Sequence, residues 1–533
     1  MFVRTKVFRN KDGTTRTYLQ LVTGERVNGK VRQKVVANLG RLEELQGGEL
    51  DRIIEALARF SKTRWVREEA MKLSTRWAKT WGPVLIFGRL WQELGLPDIF
   101  ARLLSGTAIT SDFEEACFAM VLNRLLDPMS KLATWEWIKT VYRPQWEKLE
   151  LHHLYRTLDF LAQYKDDIEK ALYDRVRNVF NLALDLVLWD TTTTYFEGQA
   201  CAGLAEYGFS KDKRPDRLQI MIGVLMSWDG FPIAHQVFPG NTAEVNTFRQ
   251  ALGQVRERFN LRKVILVADR GMVAEKVLKE IEEAGLEYIV GVKMRKIRQA
   301  KEILSWPGRY HEVDDNLKVK EVNHQGMRCI ICLNPEEQER DRLVREEAVA
   351  KLKEKLEKGE AKQLIANSAY RRYLKLAKDQ ISLDEEALKE EARYDGKYLL
   401  RTNNTSMKPE EVAHAYKSLW QVEQAFRELK SGLDLRPVYH WTPERIRGHV
   451  MVCFLALVLE MALRKKLKEL GKEVRYRDLL LHLSELKAVE VQLGERRYLA
   501  RTELVGLADL AFKAVRMRPP QHVTEMPCVG QNP

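Results

Sequence analysis

The chain has 533 residues, enough for several domains with buried cores, and this length excludes a peptide-like or fibrous protein. Its 88 Lys and Arg residues exceed its 75 Asp and Glu residues, which gives a formal net charge of +13 and a pI of about 9.2. A protein with this charge is either a soluble basic enzyme or the partner of a polyanion such as nucleic acid.

Signals for secretion, membrane insertion and disulfide bonding are weak. The N-terminus MFVRTKVFRNKDG is too charged for a signal peptide, and the longest apolar run, residues 450–459, is too short to span a bilayer. Cys329 and Cys332 form a CxxC pair, but two isoleucines separate them, no second pair follows, and a strand would point the thiols to opposite faces. We therefore expect a cytoplasmic protein with reduced cysteines and no membrane partner.

The first 48 residues alternate apolar and polar side chains, as in TYLQLV and KVRQKVVANLG, which predicts β-strands. Asn28 and Gly29 favour a tight hairpin turn between these runs. Residues 1 to 41 contain ten Lys or Arg residues and only two acids, Asp12 and Glu25. Residues 1–48 are therefore predicted to form a basic β hairpin unit that either contacts nucleic acid or is simply solvated.

Residues 49–180 change to helical spacing, with Trp and Leu recurring every three or four residues, as in FGRLWQELGL and LYRTLDFLAQY. Apolar stripes of this kind usually pack in a core, so we assign no chemistry to them. The pattern predicts a helical domain, with binding of DNA ends as a candidate role.

From residue 181 the pattern predicts three successive strands and then helix, strand, helix and strand. The predicted strands are 182–189, 218–228, 231–238, 263–268 and 287–292, with a turn at 228–230. The predicted helices are 241–259, opened by a cap pair of Asn241 and Glu244, and 274–284. This order is typical of an α/β domain.

The next segment begins with a basic run after a predicted strand, formed by Lys293, Arg295, Lys296, Arg298 and Lys301. The run either tracks phosphates or is a solvated loop. Residues 302–400 combine the short strands RCIICL and KYLLRT with a charged helical stretch at 335–359, which indicates an inserted segment. Beyond it, 409–430 is predicted to be one long helix and 446–470 another.

Two of the predicted strands end on aspartate. Asp190 follows LVLW and precedes four threonines, and Asp269 follows VILVA. Each is either a cap or turn residue or the edge of an active site. If the strands are parallel and adjacent, the two carboxylates lie about 5 Å apart, and such like charges require a cation. Oxygen ligands without nearby His or Cys favour Mg²⁺.

A third carboxylate is expected, and Glu423 is the best candidate. A helical period places Tyr416, Leu419, Glu423 and Lys430 along one stripe. The alternative is a surface glutamate paired with Arg427 at the i+4 position.

These residues and motifs resemble bacterial insertion-sequence transposases of the DDE superfamily, specifically the insertion-sequence-four-like group with its Tyr, Arg, Glu, Lys signature. The signature spacing falls on Tyr416, Leu419, Glu423 and Lys430, so leucine replaces the usual arginine, and Lys417 or Arg427 is a candidate substitute. The similarity spans most of 180–460 and includes FPGN at 238–241, VADRG at 267–271 and DGKYLLRTN at 395–403.

The resemblance implies an α/β fold with a ribonuclease H-like mixed-sheet core in two parts, 181–294 and 401–470. A β-containing insertion domain at 295–400 would separate them, and residues 471–533 would follow, with oligomerisation as a candidate role. It also implies that Asp190, Asp269 and Glu423 hold two Mg²⁺ ions, for which Mn²⁺ can substitute, and catalyse DNA strand cleavage and transfer in cut-and-paste transposition.

The implied partners are double-stranded DNA, both transposon ends and target, and a second copy of the chain in a synaptic homodimer. The candidate DNA-binding residues are Tyr416, Lys430, Arg427, Lys293, Arg295 and Lys296. Some relatives form a hairpin intermediate and stack a flipped base on an aromatic residue. Trp306, the only tryptophan of the insertion, is the candidate for that role here.

Two other classes remain open at this point. A haloacid-dehalogenase-like phosphohydrolase would use Asp190 as a nucleophile, but that chemistry normally has a second acid two residues on, where this chain has Thr192. A transposase relative that binds DNA without cutting it is the other class. The presence of all three acids argues against it.

Overall fold

A computed structural model describes residues 1–27, 30–45, 47–58, 73–105, 112–180, 186–198, 200–244, 246–247, 250, 265–269, 275–296, 298–358, 368–377, 380–493 and 496–526. The chain divides into two compact units. The smaller consists of 1–75, 491–498 and 525–533, and the larger of 76–490 and 499–524.

The strands are β1 (Phe2–Arg9), β2 (Thr15–Val27), β3 (Lys30–Arg41), β4 (Leu73–Thr80), β5 (Leu186–Tyr195), β6 (Gln219–Ser227), β7 (Pro232–Pro239), β8 (Ile265–Ala268) and β9 (Glu287–Val292). They continue with β10 (His311–Asp314), β11 (Leu317–His324), β12 (Met327–Leu333), β13 (Leu374–Ala377), β14 (Gln380–Leu383), β15 (Lys397–Thr402), β16 (Lys487–Leu493), β17 (Arg496–Arg501) and β18 (Val523–Glu525).

The α-helices are α1 (Leu42–Leu45), α2 (Glu49–Ala58), α3 (Gly82–Glu93), α4 (Leu96–Leu104), α5 (Phe113–Leu126), α6 (Lys131–Trp137), α7 (Leu151–Gln163), α8 (Lys165–Phe180) and α9 (Glu275–Glu283). They continue with α10 (Arg298–Ser305), α11 (Pro335–Glu357), α12 (Ser368–Arg371), α13 (Glu385–Ala392), α14 (Pro409–Lys417), α15 (Trp420–Arg427), α16 (Pro443–Glu469), α17 (Tyr476–Ser484) and α18 (Ala508–Ala514). Short 3₁₀ turns cover Ile138–Thr140, Pro144–Lys148 and Met294–Lys296, and a π turn covers Glu428–Gly432.

The smaller unit contains the antiparallel sheet β1-β2-β3, as the alternating N-terminal pattern predicts. Val27 pairs with Lys30 across the predicted hairpin. The turn residues Asn28 and Gly29 themselves lie outside the described residues.

The larger unit is built on a nine-stranded mixed sheet with the order β10-β11-β12-β15-β9-β8-β5-β6-β7. Strands β5, β6 and β7 pair antiparallel, and β8 and β9 join β5 in parallel. All nine residues of β6 are buried, which accounts for its continuous apolar sequence. Four strands of the segment predicted as an insertion, β10, β11, β12 and β15, belong to this same sheet and do not form a separate one.

A glycine makes room for the largest side chain of the central strand. The indole of Trp189 is 2% exposed, and a Cβ on Gly223 of the neighbouring strand would lie 2.3 Å from its ring. Glycine at 223 therefore allows a tryptophan to pack directly beside Asp190.

Helix α16 forms the apolar centre of the larger unit and packs against α5, α7 and β7. Pro443 at its first turn and the Thr442 hydroxyl, which accepts from the amide of Arg445, define its start. By length and composition it is the one described helix that could cross a membrane, yet 89% of its apolar 18-residue stretch is buried inside the protein. Gly448 lets it approach α7 closely, because a Cβ there would lie 2.1 Å from the carbonyl oxygen of Leu158.

One expectation for local structure changes and another is confirmed. The region predicted as all-helical contains strand β4, LSTRWAKT, whose two β-branched threonines favour an extended backbone. The Cys329 and Cys332 thiols lie on opposite faces of β12, in two different hydrophobic clusters, as the strand geometry predicts. Burial raises the pKa of the Cys329 thiol to about 11.

Candidate active site

The two strand-associated aspartates lie on adjacent parallel strands, as predicted. Residues Leu186 to Leu188 of β5 pair with Ile265 to Val267 of β8, and this register, continued by two residues, places Asp190 opposite Asp269. The prediction that the first strand ends at Asp190 is wrong. β5 continues through the buried threonines 191–194, which pair with β6, so Asp190 lies in the middle of a strand.

Burial sets the electrostatics of Asp190. Its side chain is 19% exposed, and desolvation raises the pKa of this carboxyl to about 6, with the nearby Asp269 and Glu244 charges adding to the effect. Lys211 opposes the rise from 3.8 Å, and the Thr191 amide does so by donating a 2.7 Å hydrogen bond to Oδ1. Asp190 is thus a carboxylate that a further cation would stabilise.

The predicted single helix at 409–430 is three segments. Around Ser418, i to i−3 hydrogen bonds replace the α-helical pattern, and the Ser418 hydroxyl donates to the carbonyl of His414. Helix α14 therefore ends at Lys417, α15 runs from Trp420 to Arg427, and a π turn follows. The one-stripe geometry inferred from sequence does not hold, since Tyr416 and Glu423 lie on different helices.

A cavity of about 470 Å³ nevertheless brings the expected acids together. Its lining includes Asp190, Asp269 and Glu423, together with Tyr416 and Leu419 from the signature positions. The Glu423 side chain is exposed and has no ion-pair partner among the described residues, so the alternative pairing with Arg427 is absent there.

Tyr416 contacts the second aspartate of the cavity, Asp269. Its hydroxyl donates a 2.9 Å hydrogen bond to Oδ1 of the exposed Asp269. The Tyr416 ring stacks on Tyr398, with centroids 5.8 Å apart and planes at 27°. The Tyr416 side chain, which was predicted to hold the DNA backbone, therefore orients the Asp269 carboxylate.

Lys430 does not reach the cavity lining. Its ammonium donates to Oδ1 of Asp212 at 2.7 Å, and the two side chains are only 11% and 4% exposed. Arg436 donates to the same oxygen at 2.5 Å. Burial lowers the pKa of Lys430 against this pairing. The structure thus differs from the expected role of Lys430 as a DNA backbone contact, because the π turn directs its amine toward Asp212.

The other expected basic residues differ in their surroundings. Lys293 and Arg427 are exposed, with no ion pair to any part of the chain that the structure describes. Arg295 pairs with Glu391 at 3.1 Å, and its guanidinium lies over the ring of Tyr394. Lys296 ends the 3₁₀ turn that begins at Met294.

Trp306 is half-exposed and contacts His324 edge to face at 5.8 Å, and it is not among the residues that line the cavity with the three acids. Trp420, which the sequence reasoning did not select, is 53% exposed and lines that cavity. Its position three residues before Glu423 was the available signal, because i and i+3 residues share a helix face.

Two further residues were missed beside Asp190. The Lys211 ammonium contacts Glu244 Oε1 at 2.7 Å and donates to the Thr191 carbonyl at 2.6 Å. Glu244, predicted to be part of a helix cap, accepts from Lys211 instead. No local sequence pattern predicts the contact between Lys211 and Thr191, because twenty residues separate them along the chain.

Lys417, one of the two candidates to replace the signature arginine, lines the cavity, whereas Arg427 does not. Its amine lies 3.9 Å from Asp314, and both side chains are about half exposed. It is therefore the cation that the structure offers at that position.

The donor chemistry of the cavity fits a hard divalent cation. Asp190, Asp269 and Glu423 offer only carboxylate oxygens, and the mutual repulsion of the aspartates contributes to the raised pKa of Asp190. Within the described ranges, no three His, Cys, Asp or Glu side chains are already close enough to hold a metal ion. The exposed Glu423 and Asp269 side chains would have to come closer to Asp190 to hold one.

Comparison with known protein families gives two matches, one over the region that contains the three acids and one at the N-terminus. The family described as transposase DDE domain matches residues 184–459, slightly more than half of the chain. Members of that family generally use divalent metal ions. The N-terminal domain of the IS1634 family transposases matches residues 3–69. The N-terminal match thus names this family and not the insertion-sequence-four-like group expected from the signature spacing.

Among solved structures, the chain is similar to the Mos1 transposase paired-end complex with left transposon end. The identity is 15% and the TM-score 0.15, and the match covers 36% of this chain and 64% of that one. A search of curated proteins gave no match.

Proposed function

This chain belongs to the family of DDE transposases, and we propose that it cleaves and joins DNA at the ends of a bacterial insertion sequence, using Asp190, Asp269 and Glu423. The observation that carries the proposal is the single cavity lined by these three acids, which come from two strands and a helix far apart in the chain. Mg²⁺ is the proposed metal, with Mn²⁺ as a substitute.

We infer a ribonuclease H-like core from the strand order β7-β6-β5-β8-β9. Three antiparallel strands are followed by two parallel ones, so β5 and β8 present their aspartates side by side. In open α/β sheets the carboxyl ends of parallel strands are where ligands bind. This order supports the ribonuclease H-like assignment independently of the motifs.

In the proposed mechanism, Asp190, Asp269 and Glu423 hold the metal. Two Mg²⁺ ions held by these carboxylates would supply activation of the nucleophile at neutral pH and neutralisation of charge on the departing 3′-oxygen. The Thr191 amide fixes one oxygen of Asp190, and the Tyr416 hydroxyl fixes one oxygen of Asp269. These hydrogen bonds preorganise two of the three acids, which lowers the cost of assembling the site.

We propose that DNA is held by the exposed cations around this cavity. Lys417 takes the place of the signature arginine, and Lys293 and Arg427 contact backbone phosphates. Arg295 and Lys296 lie on the turn after Lys293 and extend the same basic segment. Cut-and-paste transposition joins two ends, so we propose a homodimer in the synaptic complex, acting in the cytoplasm.

The test is metal-dependent nicking of duplex DNA that carries the terminal inverted repeats of the element. We expect Asp190→Asn, Asp269→Asn and Glu423→Gln each to reduce cleavage by at least about a hundredfold, because each removes a proposed metal ligand. Glu386→Gln is the matched control, since Glu386 is exposed and outside the cavity lining. Cleavage in any of the three variants equal to that of the control would refute its assigned role.

A further inference from the structure

A second cavity, remote in sequence from the proposed catalytic acids, lies within the larger unit. It has a volume of about 520 Å³ and is formed by helix α3, the segment 142–145 and residues 516–518 that follow α18. It shares no lining residue with the catalytic cavity. Neither family match assigns it a role, and part of it lies beyond residue 459, where the DDE match ends.

The charge of this cavity is one-sided. Four arginines line it, at positions 89, 143, 516 and 518, and no carboxylate does. The charge of Arg143 is neutralised within the protein, because its guanidinium donates to the carboxylate of the buried Glu115. Glu115 also accepts a 2.8 Å hydrogen bond from the Trp146 indole.

The other three arginines are exposed. None has an ion pair or a side-chain hydrogen bond to the described residues. Three uncompensated guanidinium groups around one concave surface are suited to anions, since each presents several N–H donors in a planar fork.

The backbone at Arg516 provides an independent observation. Helix α18 ends with the Met517 amide donating to the carbonyl of Phe512 and the Arg516 amide donating to that of Lys513. In this motif the residue with positive φ is usually glycine, yet Arg516 occupies it with a φ of 51°. The chain accepts a strained backbone to place a guanidinium at the cavity, which points to a role for the side chain.

The cavity wall is not purely polar. Trp81 and Tyr142 meet edge to face at 5.3 Å, and Leu85 and Met517 complete a partly buried apolar surface. A free phosphate would use only the arginine rim. A nucleic acid strand offers phosphates for the rim and sugar carbon atoms for the apolar wall.

We propose that this cavity binds the phosphate backbone of duplex DNA at a place separate from the scissile phosphate. The inference rests on the proposed function for the identity of the polyanion and extends it, since it assigns a second DNA contact to the helical region. Arg89, Arg516 and Arg518 make the phosphate contacts, and Trp81 lies against the sugar edge.

The test measures binding of a labelled duplex that carries the terminal repeat, by fluorescence anisotropy at salt concentrations from 50 to 200 mM. The double variant Arg89→Gln/Arg518→Gln removes two proposed phosphate contacts. The magnitude of its slope of log affinity against log salt should decrease by about 1.8. Across this range the variant should therefore lose roughly tenfold less affinity than wild type. The control Lys353→Gln/Lys355→Gln removes two exposed charges of α11 that form no ion pair with the described residues, and it should leave the slope unchanged.

Arg516→Gly separates binding from folding. Glycine relieves the positive φ, so this variant should melt at the same temperature as wild type or higher, while its salt slope falls by about 0.9. Pocket variants that bind like the control overturn the inference, even when wild type cleaves terminal repeats normally. So does a change in oligomeric state with an unchanged slope, which would indicate a contact between copies of the chain. A lower slope in the pocket variants of a protein that never cleaves DNA supports the inference and refutes the proposed function alone.

Discussion

Replacing Asp212 with asparagine should destabilise the protein strongly, because Asp212 is the shared partner of two cations. Its side chain is 4% exposed, and Oδ1 accepts from Lys430 at 2.7 Å and from Arg436 at 2.5 Å. Asparagine keeps the size and removes the charge. Lys430, 11% exposed, would then remain charged beside Arg436 with no carboxylate.

The magnitude follows from the unequal burial of the two cations. Breaking a buried pair costs about 3–5 kcal/mol, and we expect about 3 kcal/mol here, because Arg436 is 30% exposed and can turn toward water. For a cooperative unit as long as the larger one, with about 2.1 cal/mol/K of unfolding entropy per residue, this corresponds to a melting temperature lowered by roughly 3 °C. Thermal unfolding followed by circular dichroism measures it.

A double-mutant cycle identifies the cause. Lys430→Met in the Asp212→Asn background removes the stranded charge and should restore at least about half of the lost stability. A melting temperature for Asp212→Asn within about 1 °C of wild type would refute the reasoning, as would a double variant less stable than Asp212→Asn. Lys430→Met alone should leave the salt dependence of DNA binding unchanged, since the structure commits this amine to Asp212.

Three other changes test separate parts of the structure. Tyr416→Phe removes the hydroxyl that orients Asp269 and should lower cleavage about tenfold in a nicking assay while leaving the melting temperature unchanged. Gly223→Ala places a Cβ against the Trp189 ring and should cost about 1–3 kcal/mol in urea unfolding. Burial raises the pKa of Glu114 to about 7, so the folded state binds this proton more tightly than the unfolded chain. That stabilisation is full below about pH 4.5 and is lost as pH rises to about 7.

Each of these changes has a matched comparison. Tyr398→Phe keeps the stacking partner of Tyr416 and should retain full cleavage, so an equal loss in both tyrosine variants would argue against the hydroxyl. A Gly24→Ala substitution, also within a strand and without a positive φ, meets only the Val31 side chain at 3.6 Å and reports the backbone cost of replacing glycine. Glu114→Gln should gain stability relative to wild type between pH 5 and 7.5, and parallel pH profiles for the two proteins would contradict the assigned pKa.

Local patterns in the sequence predicted many element positions closely. The strands at 287–292 and 397–402 have the predicted bounds, and the turn at 228–230 connects two strands that lie within one or two residues of their predicted limits. The two aspartates were expected to be neighbours if their strands are parallel and adjacent, and β5 and β8 do pair in this way. Hydrophobic periodicity and the short connections along the chain contain this information.

Tertiary packing decided what lies across long sequence separations. The sequence predicts one helix through 409–430, but the break at Ser418 appears only once the segment packs so that Tyr416 reaches Asp269 and Glu423 reaches the same cavity. Likewise, no local signal pairs Lys430 with Asp212 over 218 residues.

The nine-stranded sheet shows the same division. Only two strands of the 302–400 segment, RCIICL and KYLLRT, were predicted from the sequence, and their membership in the central sheet depends on which edge is free when the chain folds. The residue types and their periodicity thus determined the elements and the acidic chemistry of this protein. Burial and close packing between distant segments decided which side chains meet, because a charge removed from water must find its partner in three dimensions.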